Sequence, residues 1–432
     1  MIRGVGLDFG TTNSALAVAD ASGAVRVAAF AAPEGPTPCF RSVLFFGRED
    51  DGRPVEQAAG PRALARYLEL DGERRLMQSL KSFLASGLFT GTSVFGRATP
   101  LEQLIAAIVA PLRDEAERAL GPVRPPVVVG RPVRFANQEH ADDEARALSR
   151  LEAALWEAGF PEVGFEYEPV AAAHHYEQSL ERDELVLIAD FGGGTSDFSL
   201  LPVGPGLRGH PRAPTDILGS AGIAVAGDAF DAQIVRHLVA DRLGRGSLRQ
   251  VFLGGQVPMP NWIYRDLERW HHLSFLRSRK TLGFLYEALE GALEPERIRA
   301  LIHVVENDLG YLLYRAVQQT KTELGVREHA LFRFHDPPLS IEARVARRDF
   351  EAWIAPELAQ IGACVDELLA RTGTGPGEID RVFMTGGSAY VPAVRRLFEQ
   401  RFGPERIAGG GELISVVSGL ALRARSLGEA RR

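Results

Sequence analysis

A short motif of aspartate, phenylalanine and glycine occurs twice in the chain and could bind a phosphate group together with its metal ion. Asp-Phe-Gly-Thr-Thr stands at residues 8–12, and Asp-Phe-Gly-Gly-Gly-Thr stands at residues 190–195. Glycine lets backbone N–H groups approach an anion closely because no Cβ stands in the way, and threonine adds a hydroxyl donor. An aspartate at a strand end can hold a divalent cation, usually through water in the case of Mg²⁺. Two such loops facing each other would clamp a triphosphate and its metal ion.

Other phosphate-binding motifs do not account for the pattern. Asp-Phe-Gly also occurs in protein kinases, but too few residues precede Asp8 for a glycine-rich loop and its lysine, and no His-Arg-Asp sequence follows. The chain contains neither a Walker A loop nor a Gly-x-Gly-x-x-Gly sequence that opens a helix. The two Asp-Phe-Gly loops therefore have to be interpreted together, as parts of one site.

The segments around both motifs predict a β-hairpin at each. Residues 4–9 and 185–190 are apolar strands, and residues 14–19 form the return strand of the first hairpin. Strand-like and helical segments alternate elsewhere, which indicates an α/β fold. The other predicted strands are 41–46, 126–129 and 381–384, the predicted helices are 101–120, 139–158, 307–324, 391–402 and 412–424, and residues 251–307 are predicted to form helices packed through aromatic side chains.

Length and composition limit the class of protein. At 432 residues the chain is too long for one hydrophobic core. Its 49 basic and 56 acidic residues give a net charge of −7, so no basic surplus favours nucleic acid. Cys39 and Cys364 provide neither a disulfide framework nor a zinc site. With no signal peptide or apolar stretch of about 18 residues, we expect a soluble cytoplasmic protein.

Five segments resemble the DnaK-type heat shock protein 70 (Hsp70) family of the actin-like ATPase superfamily. Residues 6–14 resemble its first phosphate loop, and residues 190–197 resemble the second. Glu-Pro-Val-Ala-Ala-Ala at residues 168–173 resembles the segment between them. Gly-Gly-Ser at 386–388 is similar to the adenosine motif, and Gly-Leu-Ala at 419–421 is similar to the small-residue helix near the end of the ATPase domain. The order and spacing of all five agree with the family.

The resemblance implies a two-lobed actin-like ATPase fold, with duplicated ribonuclease H-like lobes and a nucleotide cleft between them. Lobe I would comprise residues 1–184 and be completed by a C-terminal helix at 411–432. Lobe II would comprise residues 185–410, with a helical subdomain at about 228–350. The nearest match is the short YegD-type branch of the family, which consists of the ATPase part only.

The resemblance also implies ATP or ADP as ligand, with Mg²⁺ held through water by Asp8 and Asp190. Asp197 would lie near this metal or near a K⁺ site. Lys81 would position the attacking water, and Glu168 would orient water or relay a proton. The implied catalytic residues are Lys81, Glu168, Asp190 and Thr195. The implied phosphate donors are Gly10, Thr11, Thr12, Asn13, Gly192, Gly193, Gly194 and Thr195. The implied adenosine-side residues are Lys321, Gly386, Gly387 and Ser388. Gly227 and Asp228 resemble the pair that opens the upper part of lobe II and are also implied to bind the cofactor.

Several positions depart from the family pattern. Gln318, Thr322 and Gly325 stand where the family usually has an acid, a base and a serine, and this leaves the preferred base open. Lys81 is not followed by arginine, and Ser196 replaces an aromatic residue.

Three classes of function follow. The first is a slow ATPase that acts as a conformational switch, related to chaperones and to an unidentified protein partner or client. The second is a small-molecule kinase of the sugar-kinase type, and the third is a nucleotide-binding scaffold that does not hydrolyse ATP. None of the three involves nucleic acid or a membrane.

Overall fold

The computed structural model describes residues 2–32, 35–48, 55–70, 73–124, 126–208, 216–251, 254–269, 276–409 and 414–430. The strands in these ranges are β1 (Ile2–Phe9), β2 (Asn13–Asp20), β3 (Val25–Val27), β4 (Phe40–Arg41), β5 (Val43–Arg48), β6 (Glu56–Ala59), β7 (Glu73–Gln78), β8 (Gly91–Val94), β9 (Arg97–Pro100), β10 (Val127–Arg131), β11 (Gly164–Tyr167), β12 (Glu184–Phe191), β13 (Ser196–Val203), β14 (Gly219–Ile223), β15 (Leu248–Gln250), β16 (Gln256–Pro258), β17 (His329–Asp336), β18 (Leu339–Ala346), β19 (Arg381–Thr385) and β20 (Ile407–Gly409). The α-helices in the same ranges are α1 (Gly60–Glu69), α2 (Leu101–Leu120), α3 (Ala141–Glu157), α4 (Glu168–Tyr176), α5 (Gly227–Ile234), α6 (Asn261–Glu268), α7 (Arg279–Glu290), α8 (Pro295–Glu306), α9 (Gly310–Val326), α10 (Arg347–Trp353), α11 (Ala355–Thr372), α12 (Pro392–Phe402) and α13 (Ser415–Ala430).

Two sheets of the same topology carry the repeated motif. The first has the order β11-β10-β1-β2-β3, with β4 also paired to β2, and the second has the order β14-β13-β12-β19-β20. In each, a central hairpin is antiparallel and two further strands run parallel to its first strand. Both hairpins also have the same register, since Phe9 pairs with Ser14 and Phe191 pairs with Ser196. The predicted duplication of an α/β unit is confirmed.

The core around these sheets depends on a close approach between two helices. Helix α13 packs against β1 and α4, and Leu420 joins Ala171 and Ile188 in one buried apolar cluster. A Cβ built on Gly419 of α13 would lie only 1.6 Å from the Ala171 carbonyl oxygen. Because no side chain fits at that distance, the small residues predicted near 419–421 are what permit this packing.

The described chain divides into two compact units, Met1–Gly227 with Leu358–Arg432, and Asp228–Glu357. The second unit contains the hairpins β15–β16 and β17–β18 and the helices α6 to α10. The lobe boundaries given above stay predictions. In the part of the chain that the structure describes, no helix combines the length and apolar character needed to cross a membrane.

Some predicted elements differ in their bounds. The strand at 41–46 is split into β4 and β5, and the last helix runs to Ala430 rather than ending at 424. The helix predicted from residue 307 begins at Gly310, because Asp308 adopts a left-handed φ of 52° that interrupts helical geometry. Within 251–307, Tyr264 is buried as expected, whereas Trp262 is partly exposed. Trp270 and Phe275 of that aromatic set lie outside the described residues, as do residues 411–413 of the predicted C-terminal helix.

Candidate functional site

The turns that follow β1 and β12 face each other in the first unit. A Cβ built on Gly194 of the second turn would lie 3.4 Å from Thr11 Oγ1 in the first turn and 3.6 Å from Ser82 Oγ. The second turn is closed by Gly192, whose N–H donates to the Thr195 carbonyl over 2.9 Å. The structure thus brings together the two phosphate loops that the sequence predicts.

Arg41 of strand β4 and the next residue, Ser42, contact the remaining residues of the first turn. The Ser42 N–H donates to the Thr12 carbonyl over 3.0 Å. Arg41 Nη1 donates to Asn13 Oδ1 over 3.3 Å. Gly10 opens the turn, and a Cβ there would lie 2.1 Å from the Asn13 carbonyl oxygen, so a side chain would not fit. The backbone of residues 10–13 is therefore held in one tight conformation.

Lys81 and Glu168 form a buried ion pair beside these turns. Lys81 Nζ lies 2.5 Å from Glu168 Oε1. Lys81 belongs to the 3₁₀ turn Leu80–Phe83, and Glu168 is the first residue of α4. Burial alone would lower the pKa of Lys81, but Glu168 and Asp8 outweigh it and raise the pKa. The ammonium group is therefore a permanent cation and hydrogen-bond donor at neutral pH.

Distant side chains hold the turn that carries Lys81. Arg150 Nη1 of α3 donates to the carbonyls of Leu84, Ser86 and Phe89 over 3.2, 2.9 and 3.2 Å. Asn137 Nδ2 donates to the Ser82 carbonyl over 2.9 Å. Arg150 Nη1 also lies 3.4 Å from the carbonyl oxygen of Phe83, the last residue of the turn, so these contacts tie the turn and the segment after it to α3 and Asn137.

Three further carboxylates converge on the ion pair: Asp8, Asp190 and Asp197. Burial, together with the charge of Glu168, raises the pKa of Asp8 to about 7, while Lys81 opposes the shift. Burial and Glu168 likewise raise the pKa of Asp197 to about 7. The pKa of Asp190 is raised well above its usual range by burial, by Glu168 and by Asp197. The site therefore concentrates more negative charge than one lysine offsets.

This donor set suits a hydrated Mg²⁺ ion. Asp197 Oδ1 accepts hydrogen bonds from the N–H groups of Val133 and Arg134 over 2.7 and 3.3 Å. The Thr195 hydroxyl lies close enough to lower the pKa of Asp197, yet no described group makes a hydrogen bond to the buried Oδ2. In the described ranges, no three metal-binding side chains lie close enough together to hold an ion directly. Carboxylates that surround a site in this way match an ion that keeps its water ligands.

The predicted adenosine motif lies against the second turn. Gly386 has a φ of 84°, and a Cβ there would lie 2.2 Å from the Phe191 carbonyl oxygen. Ser388 Oγ donates to the Gly192 carbonyl over 3.2 Å, and the Gly227 N–H lies 3.4 Å from the same oxygen. Gly387 opens the short 3₁₀ helix Gly387–Tyr390. These residues adjoin the end of the turn that is formed by Gly192.

Lys321 and Asp228 belong to the second unit. Lys321 Nζ lies 2.8 Å from Asp231 Oδ1, and Gln318 Nε2 donates to the other oxygen of that carboxylate. Asp231 is buried, which raises its pKa, although Lys321 opposes the rise. Lys321 is therefore engaged with a buried carboxylate of its own unit, and its predicted contact with adenine stays a prediction.

Sequence reasoning missed two residues of the site. The first is Ser82, which faces the two turns. The second is Gly130, which lies beside two of the acidic side chains, since a Cβ on it would be 3.2 Å from Glu168 Cγ and 3.7 Å from Asp8 Oδ1. Gly130 lies at the carboxyl end of β10, which runs parallel to β1. Since the carboxyl ends of parallel strands meet at one sheet edge, the position of Gly130 after strand 126–129 was an available signal.

Sequence comparisons match the chain to one family model and to curated relatives. The family model described as "Hsp70 protein" matches residues 89–245 and 313–427. "Chaperone protein DnaK" of Thermus thermophilus is 26% identical over 448 residues, which cover the whole chain and 62% of that relative. The protein of the same name from Thermotoga maritima is 25% identical over 429 residues, which cover 98% of the chain and 59% of the relative. The chain spans about three fifths of the length of these curated relatives.

Proposed function

The chain belongs to the Hsp70 family, and from that premise we propose that it binds Mg-ATP at the two facing turns and hydrolyses it slowly as a conformational switch. The observation that carries the proposal is the position of Gly194 opposite Thr11, with the Lys81–Glu168 pair beside them. Family membership alone would not tell where these side chains lie relative to one another. The actin-like ATPase fold expected for the family agrees with the two sheets of matching topology.

The turns would bind the phosphates. The hydroxyls of Thr11 and Thr195 and the backbone N–H groups of the two turns, apart from that of Gly192, which donates to the Thr195 carbonyl, would be the donors to the phosphate oxygens. Such preorganised donors stabilise the charge of a phosphoryl group in transfer. Asp8, Asp190 and Asp197 would hold Mg²⁺ through water, with K⁺ as a second candidate ion at Asp197. The metal ion supplies charge neutralisation on the phosphates.

Lys81 and Glu168 would act on the attacking water. The Lys81 ammonium keeps its protons, so it donates hydrogen bonds to the water or to a phosphate oxygen and positions them. Glu168 has lone pairs that can accept a proton or orient the water. The pairing with Lys81 fixes the Glu168 carboxylate, and a fixed acceptor at hydrogen-bond distance is what general base catalysis requires.

The proposed conformational switch would depend on the two sheets that carry the turns. Each turn belongs to a different sheet, so a triphosphate that contacts both would couple them, and loss of the terminal phosphate would weaken that coupling. Coupling of this kind would allow the chain to signal its nucleotide state to a protein partner or client. A chaperone-related role is therefore part of the proposal.

Measurement of ATP and ADP affinity, together with steady-state phosphate release in the absence of any acceptor, tests the proposal. Binding with slow turnover supports it. Turnover that requires a small-molecule acceptor would instead indicate the kinase alternative, and binding without turnover would indicate the scaffold. Asp8→Asn should abolish turnover, whereas the exposed Asp142→Asn on α3 is the matched control. Failure to bind either nucleotide in the presence of Mg²⁺ overturns the proposal.

A further inference from the structure

We propose that Ser82 is a direct ligand of the terminal phosphate of ATP and sets a preference for the triphosphate over the diphosphate. This inference rests on the function proposed above. Ser82 stands where the family usually has arginine, and nothing in the sequence motifs alone assigns it a role. The assignment comes from where the structure places its hydroxyl.

Ser82 Oγ borders the same space as the two phosphate turns. It lies 3.6 Å from the position of a Cβ on Gly194, and Thr11 Oγ1 lies 3.4 Å from that position. Three segments that are distant in sequence therefore meet at one point: the first turn, the second turn and the turn that carries Lys81. A side chain on Gly194 would fill the space between them.

The two hydroxyls have unused hydrogen-bonding capacity. The backbone of Ser82 is engaged, since its N–H donates to the Ser79 carbonyl over 3.0 Å and its carbonyl accepts from Asn137. Neither Ser82 Oγ nor Thr11 Oγ1 makes a hydrogen bond with any other residue that the structure describes. Ser82 is only 6% exposed, yet its Oγ is not among the buried side-chain atoms that lack a hydrogen-bond partner, so the hydroxyl reaches solvent at this space and is open to a ligand. A phosphate oxygen is an acceptor that both hydroxyls could share.

The arrangement of the second turn indicates which phosphate Ser82 would contact. Ser388 of the adenosine motif bonds to Gly192 at one end of the turn, whereas Ser82 and Thr11 face Gly194 farther along it. A nucleotide with its adenosine near Ser388 would extend its phosphates from Gly192 towards Gly194. Its last phosphate then lies at Ser82, next to the lysine that positions the attacking water. ADP would not reach this point.

The test compares ATP and ADP affinity by calorimetry in Mg²⁺ for the wild type and Ser82→Ala. We expect Ser82→Ala to weaken ATP binding about tenfold, the usual effect of losing a hydrogen bond to a charged group, and to leave ADP binding unchanged. The exposed Ser93→Ala is the matched control and should change neither affinity. Equal affinities in Ser82→Ala and the wild type, or equal losses for both nucleotides, would overturn the inference.

Gly194→Ala gives an independent second test. Its methyl group would lie at ordinary contact distance from Thr11 and Ser82, so the chain should fold, yet the methyl occupies the proposed phosphate position. We expect a larger loss for ATP than for ADP, and no change for the exposed helical Gly283→Ala control. An ATP affinity that Gly194→Ala leaves unchanged contradicts the inference. A wild type that binds neither nucleotide contradicts the proposed function instead, so the two failures are distinguishable.

Discussion

Lys81 Nζ lies 2.5 Å from Glu168 Oε1, and each of the two side chains is less than a tenth exposed. Removing two charges from water costs several kcal/mol per ion, and their mutual attraction offsets this only while both partners are present. The pair therefore determines where both groups lie. It also joins the 3₁₀ turn Leu80–Phe83 to the N-terminus of α4.

The first prediction concerns Lys81. We expect Lys81→Ala to abolish turnover, because the attacking water loses its donor, and to leave ATP binding by the turns largely intact in the folded protein. The free energy of unfolding should fall, because Glu168 stays buried without its cation. Calorimetry and phosphate release measure the two effects separately. The chain has only three lysines, and Lys280 on α7 is exposed, so Lys280→Ala is a matched control. Unchanged turnover in Lys81→Ala would remove this residue from the mechanism.

The second prediction concerns pH. Burial and Glu168 raise the pKa of Asp8 to about 7 in the folded chain, against an ordinary value of 3.8. The folded state therefore binds this proton more tightly than the unfolded state, so the stabilisation is complete below about pH 4 and is lost as the pH rises through 7. Without nucleotide and in EDTA, we expect the Tm to fall between pH 5 and pH 8.

Substitution of the same aspartate isolates this effect. Asp8→Asn removes the titrating group, so its Tm should fall less steeply over the same range, as measured by thermal denaturation at each pH. The exposed Asp142→Asn should follow the wild-type curve. Parallel curves for Asp8→Asn and the wild type would show that Asp8 does not titrate in this window.

Local patterns account for what the sequence could predict. Helix α2 has the predicted bounds, and the hairpin strands β1 and β12 extend only one or two residues beyond the predicted ones. The two strands carry an apolar pattern that ends at Asp-Phe-Gly, and α2 carries apolar residues at helical spacing, so each signal lies within neighbouring residues. The duplication was predictable for the same reason, since the two hairpins repeat a motif together with its register.

Long-range contacts account for most of what the sequence could not predict. Asn137 binds the Ser82 carbonyl, and Arg150 binds the Ser86 carbonyl just after the turn, and both side chains come from distant parts of the chain. No local pattern encodes such contacts. The hairpin β17–β18 is different, since the alternation of buried Ala330, Phe332 and Phe334 is a period-two pattern that the sequence prediction missed.

The third prediction concerns the buried pair of the second unit. Asp231 is 2% exposed on its side chain and lies 2.8 Å from Lys321 Nζ. Lys321→Met should lower the free energy of unfolding by about 3–5 kcal/mol, because it leaves a buried carboxylate without its cation. Asp231→Asn combined with Lys321→Met should recover part of that loss. Chemical denaturation of both variants measures the difference, and equal stabilities would contradict a coupled pair.

The fourth prediction tests the close approach that completes the first unit. A Cβ on Gly419 would lie 1.6 Å from the Ala171 carbonyl oxygen, which is backbone and has no rotamer with which to move aside. Gly419→Ala must therefore separate α13 from α4, and such overpacking costs about 1–3 kcal/mol or more. Gly283→Ala makes the same chemical change at an exposed position of α7 with no atom within 4 Å. There the gain in helix propensity, up to about 1 kcal/mol, should leave the Tm unchanged or higher.

Displacement of α4 should also lower turnover, because Glu168 is the first residue of that helix. Gly419→Ala should therefore reduce both the Tm and ATP hydrolysis, while Gly283→Ala reduces neither. Equal Tm values for the two variants would mean that this glycine is not what allows the helices to pack.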